Sequence, residues 1–338
     1  MDNTIAYKLN FHSPLHIAAH GIGYEQTEQV IHSDTLFSSI MTLWPHFYPE
    51  DDVESLCQEP PFILSSAFPF KGQSYFFPRP FVKIGKRREK DGAKVGKKIK
   101  DVKYVSLPVL ESILQGKGEE LEFRDADTFQ DGKFWDIGAG DNPDYDSLIF
   151  AEREVPRVTI DRHSNASEIF YFSELVFEKD AGLFFLAKFL EKGARKKLEA
   201  VLRLLGDEGI GGDKRAGKGL FHLEIAEDFK VPLPPKPDSF VCLSLYYPKK
   251  EEFKGGILGG ASYNLVSRSG WIHVPGAMSL KRKSVRMFSE GSVFGSIGKS
   301  VYGENPRVLD MSEDLGLKHN IYRYGTVFTL PMVKENSA

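Results

Sequence analysis

Residues 209–224 read GIGGDKRAGKGLFHLE, five glycines with Lys214, Arg215 and Lys218 set among them. Glycine lets a backbone lie close to another chain, and successive N–H groups beside cationic side chains form a concavity for anions. The chemistry on offer is phosphate binding, with Gly209, Gly211, Gly212, Gly217 and Gly219 as backbone candidates and the three bases as side-chain candidates. The alternative is a tight connection whose glycines only supply positive φ. Gly212 to Lys218 fits G-x-x-x-x-G-K, but Gly219 stands where a nucleotide P-loop has the Ser or Thr that holds Mg²⁺.

A second chemistry is general acid–base catalysis, which needs one group to take a proton and another to give one. Histidine suits both roles, and His12, His16 and His32 lie near the first strand–helix junction, with Tyr24 or Lys218 as helpers. His12-x-x-x-His16 is no metal pair: Pro14 breaks the helix that would align the rings, and no third ligand is evident. No metal and no cofactor is expected.

Two further basic groups could touch RNA. Arg157 and Arg162 flank a candidate hairpin with His163 and Asn165 at its tip, suited to phosphate contact and base stacking, or to a plain surface turn. In "SLKRKSVRMF", read as a strand, Arg282, Ser284 and Arg286 share one face and Lys281, Lys283 and Val285 the other. Such a row could track phosphates or protect a sheet edge with charge.

The flanks of the glycine loop fix what kind of loop it is. Upstream, Ala194, Leu198, Val201, Leu202 and Leu205 recur at helical spacing, with Gly206 placed as the cap. Downstream, "LFHLEIA" reads as a strand. A P-loop runs from strand to helix; here the order is reversed, so this is no nucleotide P-loop.

"TIAYKLNF" (4–11) reads as an opening strand. "SDTLFSSIMTLWPHFYP" follows as a helix capped by Ser33 or Asp34 and ended by Pro45. Strands at 62–70 and 74–84 carry prolines that suggest an exposed edge. Residues 83–103 then hold ten bases against three acids, and residues 119–146 ten acids against two bases, which reads as a solvated insertion whose halves attract, the alternative being a dedicated binding surface. Without that insertion (about 84–150), residues 1–228 run strand, helix, strands, helix, strand. This is an α+β, ferredoxin-like (RRM-like) βαββαβ plan. Residues 229–238 read as a stiff proline-rich linker, and 239–338 as a β-rich domain, either a degenerate copy of the first or a plain β domain.

Among 338 residues the net charge is −3, so nucleic-acid contacts must come from local patches. Two cysteines without a CxxC suit a reducing compartment. No apolar run approaches the ~18 residues of a membrane span, and the start lacks a signal-peptide pattern. A cytoplasmic protein without membrane contact is expected.

A ferredoxin-like unit whose last helix runs into G-x-G-G-x-x-x-x-G-x-G and a strand resembles the RAMP superfamily of CRISPR proteins. "FHSPLHI" before "HSDTLFSSIMTLWP", then "VPRVTIDRHSNASEIFYFSELVF", "KRKSVRMFSEGSVF" and "NIYRYGTVFTLP", resemble the family supplying the fourth subunit of the type III-A Csm effector complex. These blocks span residues 11 to 331 in order; Ala216 departs, standing where many members have Ser. The resemblance implies a non-catalytic subunit that holds the repeat-derived 5′ tag of the guide RNA (crRNA). It would contact the large signalling subunit and a backbone RAMP subunit, with a hairpin thumb at 155–175 against the guide–target duplex. The rival within the superfamily is a metal-independent repeat endoribonuclease using the three histidines. A backbone subunit cuts target RNA with a loop Asp, but Asp34 is accounted for by helix capping. A protein-only module is the third option. A charge at Gly219 is expected to enter the closest approach to RNA.

Overall fold

The computed structural model describes residues 3–18, 24–85, 92–137, 139, 148–164, 166–272, 279–311, 317 and 319–334, with only the backbone for 92–96. The chain runs β1 (Thr4–Phe11), α1 (Ser33–Phe47), α2 (Val53–Gln58), β2 (Phe62–Leu64), β3 (Phe68–Lys71) and β4 (Ser74–Pro78). Next come α3 (Gly92–Asp101), β5 (Tyr104–Ser106), α4 (Leu107–Leu114), β6 (Thr128–Phe129) and β7 (Phe134–Trp135). A long ribbon follows, β8 (Phe150–Ile160) and β9 (Ser167–Phe177), then β10 (Ala181–Phe189), α5 (Ala194–Glu208) and β11 (Phe221–Ala226).

The main sheet has the order β11-β1-β10-β3-β4-β5-β7-β6, with β2 also on β10. Every pairing is antiparallel except β5 with β7. Period-2 alternation decides which core each side chain joins. On β10, Leu183, Phe185 and Ala187 pack with Tyr7 and Leu9 under α1 and α5. Phe184 and Leu186 face the other way, with Ala6, Phe68 and Phe77. Leu36, Phe37, Ile40 and Trp44 of α1, and Leu198, Val201, Leu202 and Leu205 of α5, close the first face. Each such side chain contributes roughly 1.5–3 kcal/mol on burial.

The C-terminal half runs β12 (Ser239–Cys242), α6 (Lys250–Lys254), β13 (Leu265–Arg268), β14 (Trp271–Ile272), β15 (Leu280–Lys281), β16 (Val285–Phe288), β17 (Val293–Gly295), β18 (Arg307–Leu309), β19 (Ile321–Tyr322) and β20 (Thr329–Met332), and its β12, β17 and β20 pack on the second face. Val241, Leu243, Leu330 and Met332 complete the core on that side. Phe229, in the proline-rich segment, packs on Tyr75 with ring centroids 4.5 Å apart. The result is a mixed α/β fold with one large sheet and few helices.

Several expectations are corrected. Pro69 lies inside the sheet, not at an edge; β4 pairs only Phe70 and Lys71 of β3, so the proline displaces no partner there. Helix α1 passes through Pro45, and its last turn is closed by the Tyr48 N–H on the Trp44 carbonyl at 3.1 Å. Helix α5 passes Gly206 and ends at Gly209, because Gly206 is where the helix touches the Phe221 backbone. The charged stretch is no solvated insertion: β5, β7 and β6 extend the main sheet, and Val105, Val109, Leu110, Ile113 and Trp135 are buried. Its halves do attract, through Lys98 with Asp125, but around a packed core. Residues 86–91, 138 and 140–147 of it lie outside the described residues.

Candidate nucleic-acid interface

The glycine loop is stitched to the chain between β1 and α1. The Ile210 N–H donates to the Gly219 carbonyl (3.0 Å), Gly219 N–H to Pro14 (2.8 Å) and Gly212 N–H to His16 (2.8 Å). Gly209 and Gly217 N–H donate to Leu205 and Lys214 (2.8 and 2.9 Å). Four of the five glycine N–H groups are thereby committed inside the chain, which overturns the reading of the loop as an anion nest built from glycine amides. The glycines serve close approach instead. A Cβ on Gly219 would sit 1.9 Å from the Ile210 carbonyl oxygen, and one on Gly211 2.3 Å from that of His16. Gly219 is buried, so a charge there would strike the loop's own backbone, not RNA. Lys214 and Arg215 are exposed on the turn between, beside Gly217, where a Cβ would meet open space.

Charges fasten the loop to the ribbon of two eleven-residue strands, β8 and β9. Lys218 Nζ lies 2.7 Å and Arg153 Nε 2.5 Å from the carboxylate of Glu174, which is fully buried. Arg157 lies 2.6 Å from Asp213 and over the Phe172 ring, 4.5 Å from its centroid. The Lys218 and Arg157 contacts are charge contacts, since Glu174 Oε2 and Asp213 Oδ2 accept no aligned hydrogen bond. Lys218 and Arg157 thus serve docking of loop on ribbon. Arg162 and His163 are exposed in the ribbon turn, which Asp161 orders by accepting from the His163 N–H (3.0 Å) and Ser164 Oγ (2.6 Å). Asn165 lies outside the described residues.

Residues 281–286 form no single strand. Lys281 belongs to β15, paired with β14, while Val285 and Arg286 belong to β16, paired with β13. Each half follows a different partner strand across the break at Ser269–Gly270, so the alternating faces expected from the sequence do not exist. Lys281 and Arg286 are exposed, Lys283 pairs with Asp310 at 3.0 Å, and Arg282 is half-buried.

Arg282 opens into a groove of about 370 Å³ between the glycine loop (Gly211, Gly212, Lys214), the polar side of α1 (Thr35, Ser38, Thr42) and the β13–β14 turn. At its floor Arg268 grips Asp34 with both nitrogens, Nε at 3.0 Å and Nη2 at 2.9 Å, and Arg323 donates to the same carboxylate. Asp34 therefore caps no helix; His32 holds that position, and Asp34 is a buried counter-ion to two arginines. Burial would raise its pKa, but Arg268 and Arg323 hold it well below the usual carboxylate range. Burial and the neighbouring Arg323 push the Arg282 guanidinium down to about 10. Four cationic side chains against one carboxylate leave this groove short of negative charge. Arg268, Arg323 and Trp271 escaped the sequence reading, because single arginines and a single tryptophan carry no spacing signal.

The three histidines are each engaged separately. His12 stacks on His222 (centroids 4.5 Å apart), and His16 Nδ1 lies 2.7 Å from the Ser173 carbonyl. His32 Nδ1 lies 2.8 Å from Glu290, which also accepts from Ser66. Tyr24 packs with Phe172, centroids 5.6 Å apart. Burial would lower the His32 pKa, but Glu290 and, more weakly, Asp34 outweigh it, and the net shift is upward. A raised histidine stabilises below its unfolded value, near 6.5, and loses that contribution as pH rises through the folded value. Thermal unfolding followed from pH 6 to 9 should show stability declining with pH, and His32→Gln should flatten that slope. An unchanged slope would mean the pair does not titrate in that window.

The RAMP superfamily model matches residues 8–222 and the CRISPR Csm4 C-terminal domain matches residues 236–332. A protein of Thermococcus onnurineus described as CRISPR system Cms protein Csm4 is 29% identical over 310 residues, 88% of this chain and 90% of the relative. One of the same description from Methanocaldococcus jannaschii is 20% identical over 91% of this chain and 92% of its own. Among solved structures, a chain of a Csm3–Csm4 subcomplex in the type III-A CRISPR-Cas interference complex has a TM-score of 0.65 at 16% identity, over 98% and 99% of the two chains. A chain of a Csm1–Csm4 cassette in complex with cA4 gives 0.61 at 21%, over 99% and 100%. With the two matched regions following one another along nearly its whole length, the chain belongs to the RAMP superfamily and carries a match to the Csm4 C-terminal domain.

Proposed function

We propose that this chain is a non-catalytic RNA-binding subunit of a type III-A CRISPR interference complex, holding the repeat-derived 5′ tag of the crRNA. The observation that carries the reading is the groove. In a chain of net charge −3, Lys214, Arg268, Arg282 and Arg323 face one opening against the single carboxylate of Asp34. Phosphates would supply the missing charge. Lys214 and Arg215 offer contacts from the loop, Lys281 and Arg286 extend the basic surface, and Arg162 and His163 offer contacts at the ribbon tip, where the guide–target duplex would lie. The loop glycines act by keeping the loop shape that presents these bases.

The order β11-β1-β10-β3, antiparallel with α1 and α5 on one face, supports the ferredoxin-like reading of the N-terminal part. The relatives' complexes with Csm1 and Csm3 support a large signalling subunit and a backbone RAMP subunit as partners. The separate engagement of His12, His16 and His32 supports a role without catalysis.

A tagged pull-down from cells expressing the genomic neighbours tests the role. Related subunits carrying RNAs with one shared repeat-derived 5′ end are expected. Recovery of the chain alone, cutting repeat RNA without metal, would move it to the nuclease. Lys214→Glu with Arg215→Glu should lower RNA per complex. It should also reduce the slope of log affinity against log salt by about 1.4, at roughly 0.7 per lost single-strand phosphate contact. Unchanged RNA content and slope would remove the loop from the interface.

A further inference from the structure

Three tryptophans occur in the chain, and they divide sharply by environment. Trp44 and Trp135 are 1% and 0% exposed and belong to the core. Trp271 is 50% exposed, at the rim of the groove. It sits on β14, its backbone in register with Lys281. Among the described residues no aromatic ring covers it, and its indole N–H has no hydrogen-bond partner.

The neighbouring strand places a cation beside it. Arg282 N–H donates to the Gly270 carbonyl at 2.9 Å, and its guanidinium lies over Gly270, where a Cβ would be 3.0 Å from Nη2. Arg282 pairs with no carboxylate among the described residues, and its Nε is buried without an acceptor. The Nε of Arg323, a residue only 4% exposed, is likewise buried without an acceptor at the same groove. Two buried donors without acceptors are costly unless a ligand supplies oxygens. Across the opening, Ser38 and Thr42 present short hydroxyl side chains from an exposed side of α1. An uncovered indole face beside under-satisfied guanidinium groups fits a flat aromatic ring attached to an anion, which is a nucleotide.

We propose that Trp271 is a stacking platform for one base of single-stranded RNA in this groove, with an adjoining phosphate on Arg282. The inference rests on the RNA-binding reading above and adds to it a residue that reads a base face. Stacking needs only a π-face, so this platform positions the strand and is tolerant of base identity.

Because the other tryptophans are buried, a change in intrinsic fluorescence on adding RNA that is lost in Trp271→Ala reports on this position. Titration with an eight-nucleotide single-stranded RNA should quench the emission. Trp271→Ala should weaken binding roughly tenfold, the order of one base–aromatic stack, and Trp271→Tyr should restore most of it. An RNA abasic at the stacked nucleotide should bind through phosphates without quenching. Arg282→Ala should keep the quenching and reduce the salt slope.

RNA bound without quenching, at an affinity unchanged in Trp271→Ala, would overturn the platform and leave the RNA-binding reading intact. Should the isolated chain bind no RNA, ultraviolet crosslinking of the co-purified complex decides. A nucleotide adduct on Trp271 supports the platform, and adducts only elsewhere overturn it. A complex that carries no RNA would overturn both readings.

Discussion

Asp34→Ala is expected to cost the fold about 3–5 kcal/mol, the range for removing one partner of a buried ion pair. Arg268 and Arg323 both donate to this carboxylate, and Arg323 is 4% exposed. Without it two guanidinium groups stand buried side by side, with Arg282 beside them adding repulsion. Asp34→Asn should recover little, since shape returns and charge does not. Replacing all three charged residues by apolar ones of similar volume should recover more, because the desolvation cost goes with the charges. Urea unfolding of the full chain measures each variant, and a loss under about 1 kcal/mol for Asp34→Ala would show that solvent already screens the network. The linkage has a definite sign. A carboxyl held low stabilises above its unfolded value near 3.9 and loses that only as pH falls through the lower folded value. The network should therefore outlast ordinary surface ion pairs on acidification.

Gly219→Ala is the second large effect, roughly 3 kcal/mol or more from a left-handed backbone plus a steric clash. At Gly219 φ is +74°, and the new Cβ would lie 1.9 Å from the Ile210 oxygen. Gly217 is the control. Its φ is nearly the same, +73°, but nothing lies within 4 Å of a Cβ, so Gly217→Ala should cost only the conformational part, about 1–2 kcal/mol. A thermal-melt comparison separates them; equal losses would mean that the loop yields and the close packing carries no weight. Either variant lowers RNA content only as far as it unfolds the loop. That is why substitutions at Lys214 and Arg215, and not at Gly219, report on RNA.

Local patterns were legible and distant pairings were not. β1 and β9 and the apolar stripe of α5 follow from spacing alone, since each is set by its neighbours in sequence. Asp34 was read as a cap because capping is a local rule, whereas its partners lie 234 and 289 residues away. Lys218 and Arg157 look like free cations until the fold brings Glu174 and Asp213 to them. The charge tally over 83–146 hid "YVSLPVLESIL", whose apolar residues build an extension of the main sheet. The groove was half legible: its glycine-loop wall was in view, but its arginine floor is assembled from segments that no window joins.

The main sheet is clothed on its second face by strands that come late in the chain. On the ribosome, Phe68, Phe77 and Phe184 of that face must wait for Leu330 and Met332. The carboxylate of Asp34 likewise waits for Arg323, 289 residues downstream. At a synthesis rate of about 5–20 residues per second, that interval is roughly 15–60 s. Until then the second face lacks part of its cover and Asp34 has only Arg268 of its two arginines, so the nascent chain keeps aromatic surface open to chaperones for that time.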